Sequence, residues 1–287
     1  MKPYLVATGL AIFLLLSGYM LFRPMSGALV RYLVWATTPA ANALRGSVRS
    51  GGTSIRYVSW GSGPPVLLLH GGLSNRLAWF AQIPWLVSAG RQIVLPDMRG
   101  HGDSGLGDND LSYRLLASDA IHILDKLNIR QADVIGWSDG GNTALLLGRY
   151  WPQRVQRIVA ISSNFNPAGL TPEALEEAHR QSGGLQYWFK RWWTGAGKRL
   201  TELENRIKRM WRTFPVLKPP DLQEISIPTL VIVGEHDDIS IEHARQMATL
   251  LPHGFLKVIP GGHSTPVTHC IQVNAAIADF LGIPVQK

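Results

Sequence analysis

Residues 136–140 have the sequence Gly136-Trp137-Ser138-Asp139-Gly140, between the short, mainly apolar run Ala132–Ile135 and a stretch with helical spacing. This G-x-S-x-G pattern is the nucleophile elbow, a sharp strand-to-helix turn that projects a serine hydroxyl toward a base. The turn brings the strand and helix backbones close together, so positions two before and two after the serine have little room for a Cβ. The pattern therefore predicts Ser138 as a nucleophile.

The composition is that of a globular chain with one large domain or two small ones. Its 287 residues are 46% apolar, which supplies a core, and the net charge of +8 is too small for a disordered chain. The single cysteine, Cys270, excludes an internal disulfide, and its apolar surroundings predict a buried filler. No cluster has metal-ligand spacing, and the chemistry predicted below requires neither a metal nor an organic cofactor.

Residues 1–22 are predicted to lie outside the fold, as a transmembrane anchor or a signal segment. Residues 4–22 carry no charge, and as a helix they would span about 28 Å, close to the roughly 30 Å hydrocarbon core. This length favours an uncleaved anchor, and hence a membrane-anchored protein of open orientation with the membrane as a partner. The alternative is a secreted or periplasmic protein after cleavage near Ala28. Residues 23–50 are predicted to form a stalk or linker.

From residue 51 to 287 the chain alternates short apolar runs with amphipathic stretches. This alternation predicts an α/β domain with a mostly parallel central sheet and helices on both faces. Residues 165–224 contain only helical patterns, so we expect a small helical cap over the carboxyl edge of the sheet. The predicted strands are Ile55–Trp60, Val66–His70, Ile93–Pro96, Val134–Gly136, Val155–Ile161, Leu230–Val233 and Leu256–Ile259; the predicted helices outside the cap are Leu111–Leu127, Asn142–Arg149, Ile241–Leu251 and Val267–Leu281.

The positive charge is concentrated inside the predicted cap. Residues 188–212 carry eight lysines and arginines, two glutamates and four of the ten tryptophans. Such a segment is typical of a charged outer helix face, of a membrane-surface contact or of a nucleic-acid site. The first is the favoured interpretation, and no nucleic-acid partner is expected because no nucleic-acid motif accompanies the charge.

A glycine-rich loop after an apolar strand supplies candidate donors for an oxyanion. Leu69-His70-Gly71-Gly72 ends the strand, and the N–H groups of Gly72 and Asp139 are predicted to form a two-donor hole, with Leu73 as the alternative to Gly72. His70 is expected to brace this loop. Asp139, Trp137 and Leu73 are the predicted substrate contacts. For the Asp139 carboxylate two roles are open, attraction of a substrate cation and stabilisation of its own helix N-terminus.

A carboxylate and a histidine follow in the order that this topology requires. Gly234-Glu235-His236-Asp237 ends the strand after the cap, and Asp237 is preferred to Asp238 and Glu235 as the group that orients the histidine. His263 follows in a glycine loop just past the last strand, whereas the other histidines, His101 and His243 among them, have surface or packing interpretations. Ser138, Asp237 and His263 are therefore the predicted catalytic residues.

Together these residues resemble the α/β-hydrolase superfamily. The resemblance covers residues 52–283 and includes the turn 61–65, the His-Gly-Gly loop, residues 97–104, the elbow and the acid and histidine loops. The elbow, residues 136–141, is similar to that of the biphenyl-hydrolase-like group, which includes valacyclovir hydrolase.

The predicted activity is hydrolysis of carboxylic esters, or of lactones and activated amides, through an acyl-enzyme. Serine at position 138 argues against the dehalogenase and epoxide hydrolase chemistries, which use aspartate. The alternatives are an acyltransferase, a carbon–carbon bond hydrolase or a cofactor-free perhydrolase with the same triad, and a non-catalytic binding protein on this fold.

Overall fold

The computed structural model describes residues 24–180 and 187–284, which build one eight-stranded sheet. The strand order is β1-β2-β4-β3-β5-β6-β7-β8. The strands are β1 (Leu44–Ser50), β2 (Thr53–Trp60), β3 (Pro65–Leu69), β4 (Gln92–Pro96), β5 (Ala132–Trp137), β6 (Val155–Ile161), β7 (Thr229–His236) and β8 (Gly254–Gly262).

The sheet is parallel from β4 to β8 and antiparallel at its other edge. β1 pairs antiparallel with β2, and β2 pairs antiparallel with β4, whereas every other neighbouring pair is parallel. Strands covered on both faces are apolar throughout, as in β3, where residues 66–69 are at most 1% exposed. The prediction of a mostly parallel sheet is confirmed.

Helices cover both faces of the sheet, as predicted. On one face α3 (Tyr113–Lys126), α4 (Asp139–Tyr150) and α9 (Ile241–Leu250) share an apolar core with Leu67 and Leu69. On the other face α2 (Ile83–Ser88) and α11 (Cys270–Leu281) share a second core with Val66 and Leu68. Alternate side chains of one strand thus fill two separate cores. The remaining helices are α1 (Pro24–Ala36), α5 (Pro172–His179), α6 (Tyr187–Trp193), α7 (Leu200–Thr213), α8 (Pro219–Gln223) and α10 (Thr265–Thr268).

The prediction of a stalk at residues 23–50 was wrong for most of that segment. Residues 44–50 form β1, which pairs with all but one residue of β2. Trp35 at the end of α1 is buried, with its ring centroid 5.8 Å from that of Trp60. As an edge strand, β1 has a mainly polar sequence because only one of its sides is paired, so it lacks the apolar run that marks the central strands.

The expectation of a membrane-anchored protein is corrected. Residues 1–22, predicted as an anchor or signal segment, lie outside the described residues. Across 24–180 and 187–284 no helix combines the length and the apolar character needed to cross a bilayer. The membrane partner expected from that segment therefore has no support in the structure.

Among the described residues between β6 and β7, four helices, α5 to α8, lie within the segment predicted as a cap. Part of its basic charge is internal, contrary to the interpretation as an outer face. Lys208 is 3% exposed, and its Nζ lies 3.3 Å from both Glu177 Oε1 and Glu204 Oε1, while Lys190 Nζ lies 3.2 Å from Glu204 Oε1. Because buried charges require partners, these ion pairs tie α5, α6 and α7 together.

Candidate active site

The elbow has the strained geometry that the sequence predicts. Ser138 lies between β5 and α4 with φ of 56°, a left-handed conformation that a serine rarely adopts. A Cβ added to Gly136 would lie 2.1 Å from Gly140 O, and one added to Gly140 would lie 2.0 Å from Leu69 O. The prediction that both positions lack room for a Cβ is confirmed. The turn exposes the Ser138 hydroxyl at the carboxyl edge of the sheet.

The structure brings Ser138, His263 and Asp237 into one chain of contacts. His263 Nε2 lies 3.0 Å from Ser138 Oγ, and His263 Nδ1 lies 2.8 Å from Asp237 Oδ1. These distances let Nδ1–H donate to the carboxylate while Nε2 accepts the serine proton. The Trp137 indole N–H donates to His263 O at 2.8 Å, which holds the histidine loop against the elbow.

Asp237 is held as an anion inside the protein. Burial favours its neutral form, but the hydrogen bond and charge of His263 and the hydrogen bonds from Ser162 Oγ and Gly234 N–H outweigh it, so its pKa is lowered. Burial by itself lowers the pKa of His263. The hydrogen bond and charge of Asp237 raise this pKa by more than burial lowers it, so the net shift is upward. The pair therefore favours a charged imidazolium, the form that arises when histidine takes a proton.

Asp238 is a weaker partner for the histidine than Asp237. Its Oδ2 lies 3.8 Å from His263 Nδ1, beyond hydrogen-bond distance, and its side chain is 57% exposed. Asp237 has a side chain with no exposed surface. This geometry supports the choice of Asp237 made from the sequence, and Asp238 instead lines the cavity beside the histidine.

The glycine loop lies directly beside Ser138. A Cβ on Gly71 would be 3.1 Å from Ser138 Cβ, which brings the following residue, Gly72, to the cavity beside the histidine. The Leu73 N–H donates to His101 Nε2 at 3.0 Å. Within the described ranges no acceptor is found for the Gly72 N–H. Gly72 is therefore the better placed of the two candidate donors.

A cavity of about 170 Å³ opens beside Ser138 and His263. Its polar and charged wall is acidic, since Asp139, Glu177 and Asp238 line it and no lysine or arginine does among the described residues. The cap helices contribute Ala174, Glu177 and Trp211. A larger cavity of about 290 Å³, between α1, β2 and residues 75–77, contains none of the triad residues. In the described part of the chain, no group of three or more His, Cys, Asp or Glu is placed to hold a metal ion.

Asp139 contributes a buried carboxylate to the cavity beside Ser138 and His263. Its Oδ1 accepts hydrogen bonds from Tyr113 Oη and Trp211 Nε1, both at 2.8 Å, while its Oδ2 has no partner within 24–180 and 187–284. Burial raises the pKa of Asp139 to about 6, although these two hydrogen bonds partly oppose the rise. The hydrogen bonds go to α3 and α7 and not to its own helix, so the helix-capping role gains no hydrogen-bond support.

Two predicted substrate contacts do not reach the cavity wall. Trp137 packs in the core beneath the sheet edge and donates its indole N–H to His263 O. Leu73 packs against the opposite core. Neither is among the described residues that line the cavity. Both lie next in sequence to residues of the site, but the strained turns at Ser138 and Leu73 direct their side chains elsewhere.

Several residues that support the site were not predicted from the sequence. Ser162, which donates to Asp237 Oδ2 at 2.5 Å, follows β6 and has φ of 51°. Tyr113 and Trp211 bind Asp139 from two helices that are far apart in sequence. Only Ser162 carried a usable signal, because a polar residue at the carboxyl end of a parallel strand lies at the edge where ligands bind.

Known proteins share this architecture. The model of the α/β hydrolase fold family matches residues 64–193. A non-heme haloperoxidase from Rhodococcus erythropolis is 28% identical over 272 residues, which cover 81% of this chain and 97% of the relative. A 2-hydroxymuconate semialdehyde hydrolase from Pseudomonas putida is 28% identical over 244 residues, which cover 76% of this chain and 86% of the relative. The structure of a meta-cleavage product hydrolase from Pseudomonas fluorescens IP01 has a TM-score of 0.73 at 20% identity and covers 83% of this chain and 97% of its own, which shows the fold.

Proposed function

We propose that this chain, which belongs to the α/β-hydrolase superfamily, is a serine hydrolase that cleaves carboxylic esters, lactones or activated amides. One observation carries the proposal: the unbroken contacts from Ser138 through His263 to Asp237 at the wall of a cavity. A binding protein would have no need of a strained serine with its hydroxyl against an imidazole nitrogen. The proposal therefore favours an enzyme over a non-catalytic binding role.

Acylation of the enzyme follows from the geometry. The Ser138 hydroxyl attacks the acyl carbon as His263 Nε2, 3.0 Å away, accepts its proton. Asp237 keeps the proton of the neutral imidazole on Nδ1 and stabilises the imidazolium that forms. The N–H groups of Gly72 and Asp139 then donate to the oxyanion of the tetrahedral intermediate.

Collapse of this intermediate completes acylation, and deacylation follows. The imidazolium donates its proton to the leaving alcohol or amine, which departs and leaves the acyl group on Ser138. A water molecule then attacks the ester carbon while His263 accepts a proton from the water. Collapse of the second tetrahedral intermediate breaks the bond to Ser138 Oγ and returns the proton to that oxygen.

A carbon–carbon bond hydrolase is the second candidate, because it uses the same triad and because one relative is a 2-hydroxymuconate semialdehyde hydrolase. The charge of the cavity opposes this alternative. A muconate carries carboxylate, and the described lining has no lysine or arginine to neutralise an anion, whereas it includes Asp139 and the exposed Asp238. The acidic wall instead suits neutral or cationic acyl groups.

A substrate panel tests the proposal directly. The panel contains p-nitrophenyl esters of increasing acyl length, lactones, amino-acid esters and an anionic meta-cleavage product, each measured with wild type and with Ser138→Ala. We expect turnover of at least one ester or lactone, loss of this turnover in Ser138→Ala, and fluorophosphonate labelling of wild type only. Turnover of the meta-cleavage product alone would favour the second candidate, and absence of labelling would contradict the serine mechanism.

The Asp139 carboxylate is predicted to select substrates that carry a cation near the scissile bond. Asp139→Asn keeps the backbone N–H and an oxygen for Tyr113 and Trp211 but removes the negative charge. We expect the ratio of kcat/KM for an aminoacyl ester to that for a neutral ester of equal size to fall by roughly tenfold. Glu177→Gln, on the same wall but already paired with Lys208, is the matched control and should lower the ratio less.

The same selectivity should depend on pH. Because burial raises the pKa of Asp139 to about 6, its carboxylate is charged above that pH and neutral below it. The preference for the aminoacyl ester should therefore rise as the pH increases through 6. Both substrates use His263, so its titration cancels in the ratio. A pH-independent ratio in wild type, or an unchanged ratio in Asp139→Asn, would leave Asp139 a structural role only.

A further inference from the structure

Two buried histidines connect the loop of Gly72 to the loop that follows β4. His70 Nε2 accepts the Met98 N–H at 3.0 Å, and His101 Nε2 accepts the Leu73 N–H at 3.0 Å. The two rings lie edge to face, with centroids 4.9 Å apart. Each loop thus supplies one acceptor imidazole and one donor N–H to the other, a reciprocal arrangement that we call the histidine clasp.

Both imidazoles of the clasp are neutral with the proton on Nδ1. A nitrogen that accepts a backbone N–H carries no proton, so the proton lies on the other nitrogen. His70 Nδ1 lies 2.8 Å from Gly71 O, and His101 Nδ1 lies 3.1 Å from Arg99 O, both suitable acceptors. Burial lowers the pKa of His70 to about 3 and that of His101 to about 4, so both rings stay neutral at ordinary pH.

The clasp acts on the backbone next to the oxyanion donor. Leu73 has φ of 53°, a left-handed conformation unfavourable for leucine, and its N–H is taken by His101. The Gly72 N–H remains without an acceptor among the residues the structure describes, in the loop beside Ser138. Fixing the Leu73 peptide therefore also fixes the orientation of the preceding one.

We propose that His101 is a positioning residue for the oxyanion hole: by accepting the Leu73 N–H it holds the strained loop in the conformation that presents the Gly72 N–H to the oxyanion. The inference rests on the proposed function, since it concerns the same reaction. His101 itself is buried and is absent from the described wall of the catalytic cavity. It acts only through Leu73 and Gly72, without contact to substrate.

The test compares two polar replacements. His101→Asn has an amide too short to reach the Leu73 N–H, whereas His101→Gln places an amide oxygen near the position of Nε2. We expect kcat for an ester to fall roughly ten- to a hundredfold in the Asn variant with KM little changed, because a misplaced oxyanion donor weakens binding of the transition state only. Inhibition by a boronic acid, which forms a tetrahedral adduct with the serine, should weaken in parallel. The Gln variant should recover most of both.

His243→Asn is the matched control for lost stability. His243 is also buried and its Nε2 also accepts a backbone N–H, that of Phe165 at 3.1 Å, but it does not contact the Gly72 loop. At an equal loss of Tm it should lose much less kcat than His101→Asn. Equal losses of kcat, or full kcat in His101→Asn, would overturn the positioning role. If only the Gln variant folds, its kcat decides, and a value far below wild type overturns the role.

These outcomes stay separate from failure of the proposed function. If wild type hydrolyses no ester, or if Ser138→Ala hydrolyses esters as well as wild type, the serine mechanism fails before His101 is considered. If wild type is active, Ser138→Ala is inactive and His101→Asn keeps full kcat, only the clasp proposal fails.

Discussion

Replacing Ser138 with alanine is expected to lower kcat for ester hydrolysis by about 10⁴- to 10⁶-fold. The change removes the one hydroxyl that contacts His263 Nε2 in the described part of the chain, so no acyl-enzyme can form. The fold should survive, because alanine fits wherever serine does and Ser138 Oγ makes no other hydrogen bond among the described residues. Turnover of the best ester of the panel, with circular dichroism and Tm as checks on folding, measures the effect.

The triad should also lose activity as a unit. His263→Ala and Ser138→Ala each interrupt the same proton transfer, so the double variant is expected to be little worse than the more damaging single one. Losses that multiply would show that the two residues act in independent steps. Near-wild-type turnover by Ser138→Ala would remove Ser138 as the nucleophile.

Two parts of the fold could be predicted from the sequence: the central strands, from their apolar runs, and the turn at Ser138, from the glycines that flank it. The central strands are buried on both faces, so their sequences are nearly continuous apolar runs that are visible without a structure. The strained turn at Ser138 could be predicted for a different reason. Only glycine fits at positions 136 and 140, where a Cβ would lie 2.0–2.1 Å from a carbonyl oxygen. Both signals are local, and local constraints are the ones that a single sequence records.

Features that depend on distant partners and carry no motif of their own could not be predicted. β1 is defined by its pairing with β2 and not by its own polar residues, and α1 by the packing of Trp35 on Trp60. The burial of Lys208 in the cap also depends on distant residues. A lysine can be buried there only because Glu177 and Glu204 form ion pairs with it in the folded chain. The surroundings of Asp139 likewise come from two helices about a hundred residues apart in sequence.

Replacing Asp237 with asparagine is expected to lower kcat/KM for esters by about 10⁴-fold, whereas Asp238→Asn should cost less than about tenfold. Asp237 accepts hydrogen bonds from His263, Ser162 and Gly234 at once. An asparagine amide group cannot accept all of them, and its NH₂ would meet another donor or turn the imidazole to the wrong tautomer. Asp238 is exposed and 3.8 Å from the ring nitrogen, so its loss removes only a screened charge.

The pH profile separates this role of Asp237 from mere loss of folded protein. Activity requires neutral His263, and the Asp237 hydrogen bond and charge are what raise the pKa of this histidine against the effect of burial. Without the carboxylate charge that pKa should fall, so the acid limb of kcat/KM should move to lower pH in Asp237→Asn. A small downward shift is expected in Asp238→Asn, because Asp238 also raises the pKa of His263. If Asp238→Asn gave the larger loss and the larger shift, the orienting carboxylate would be Asp238.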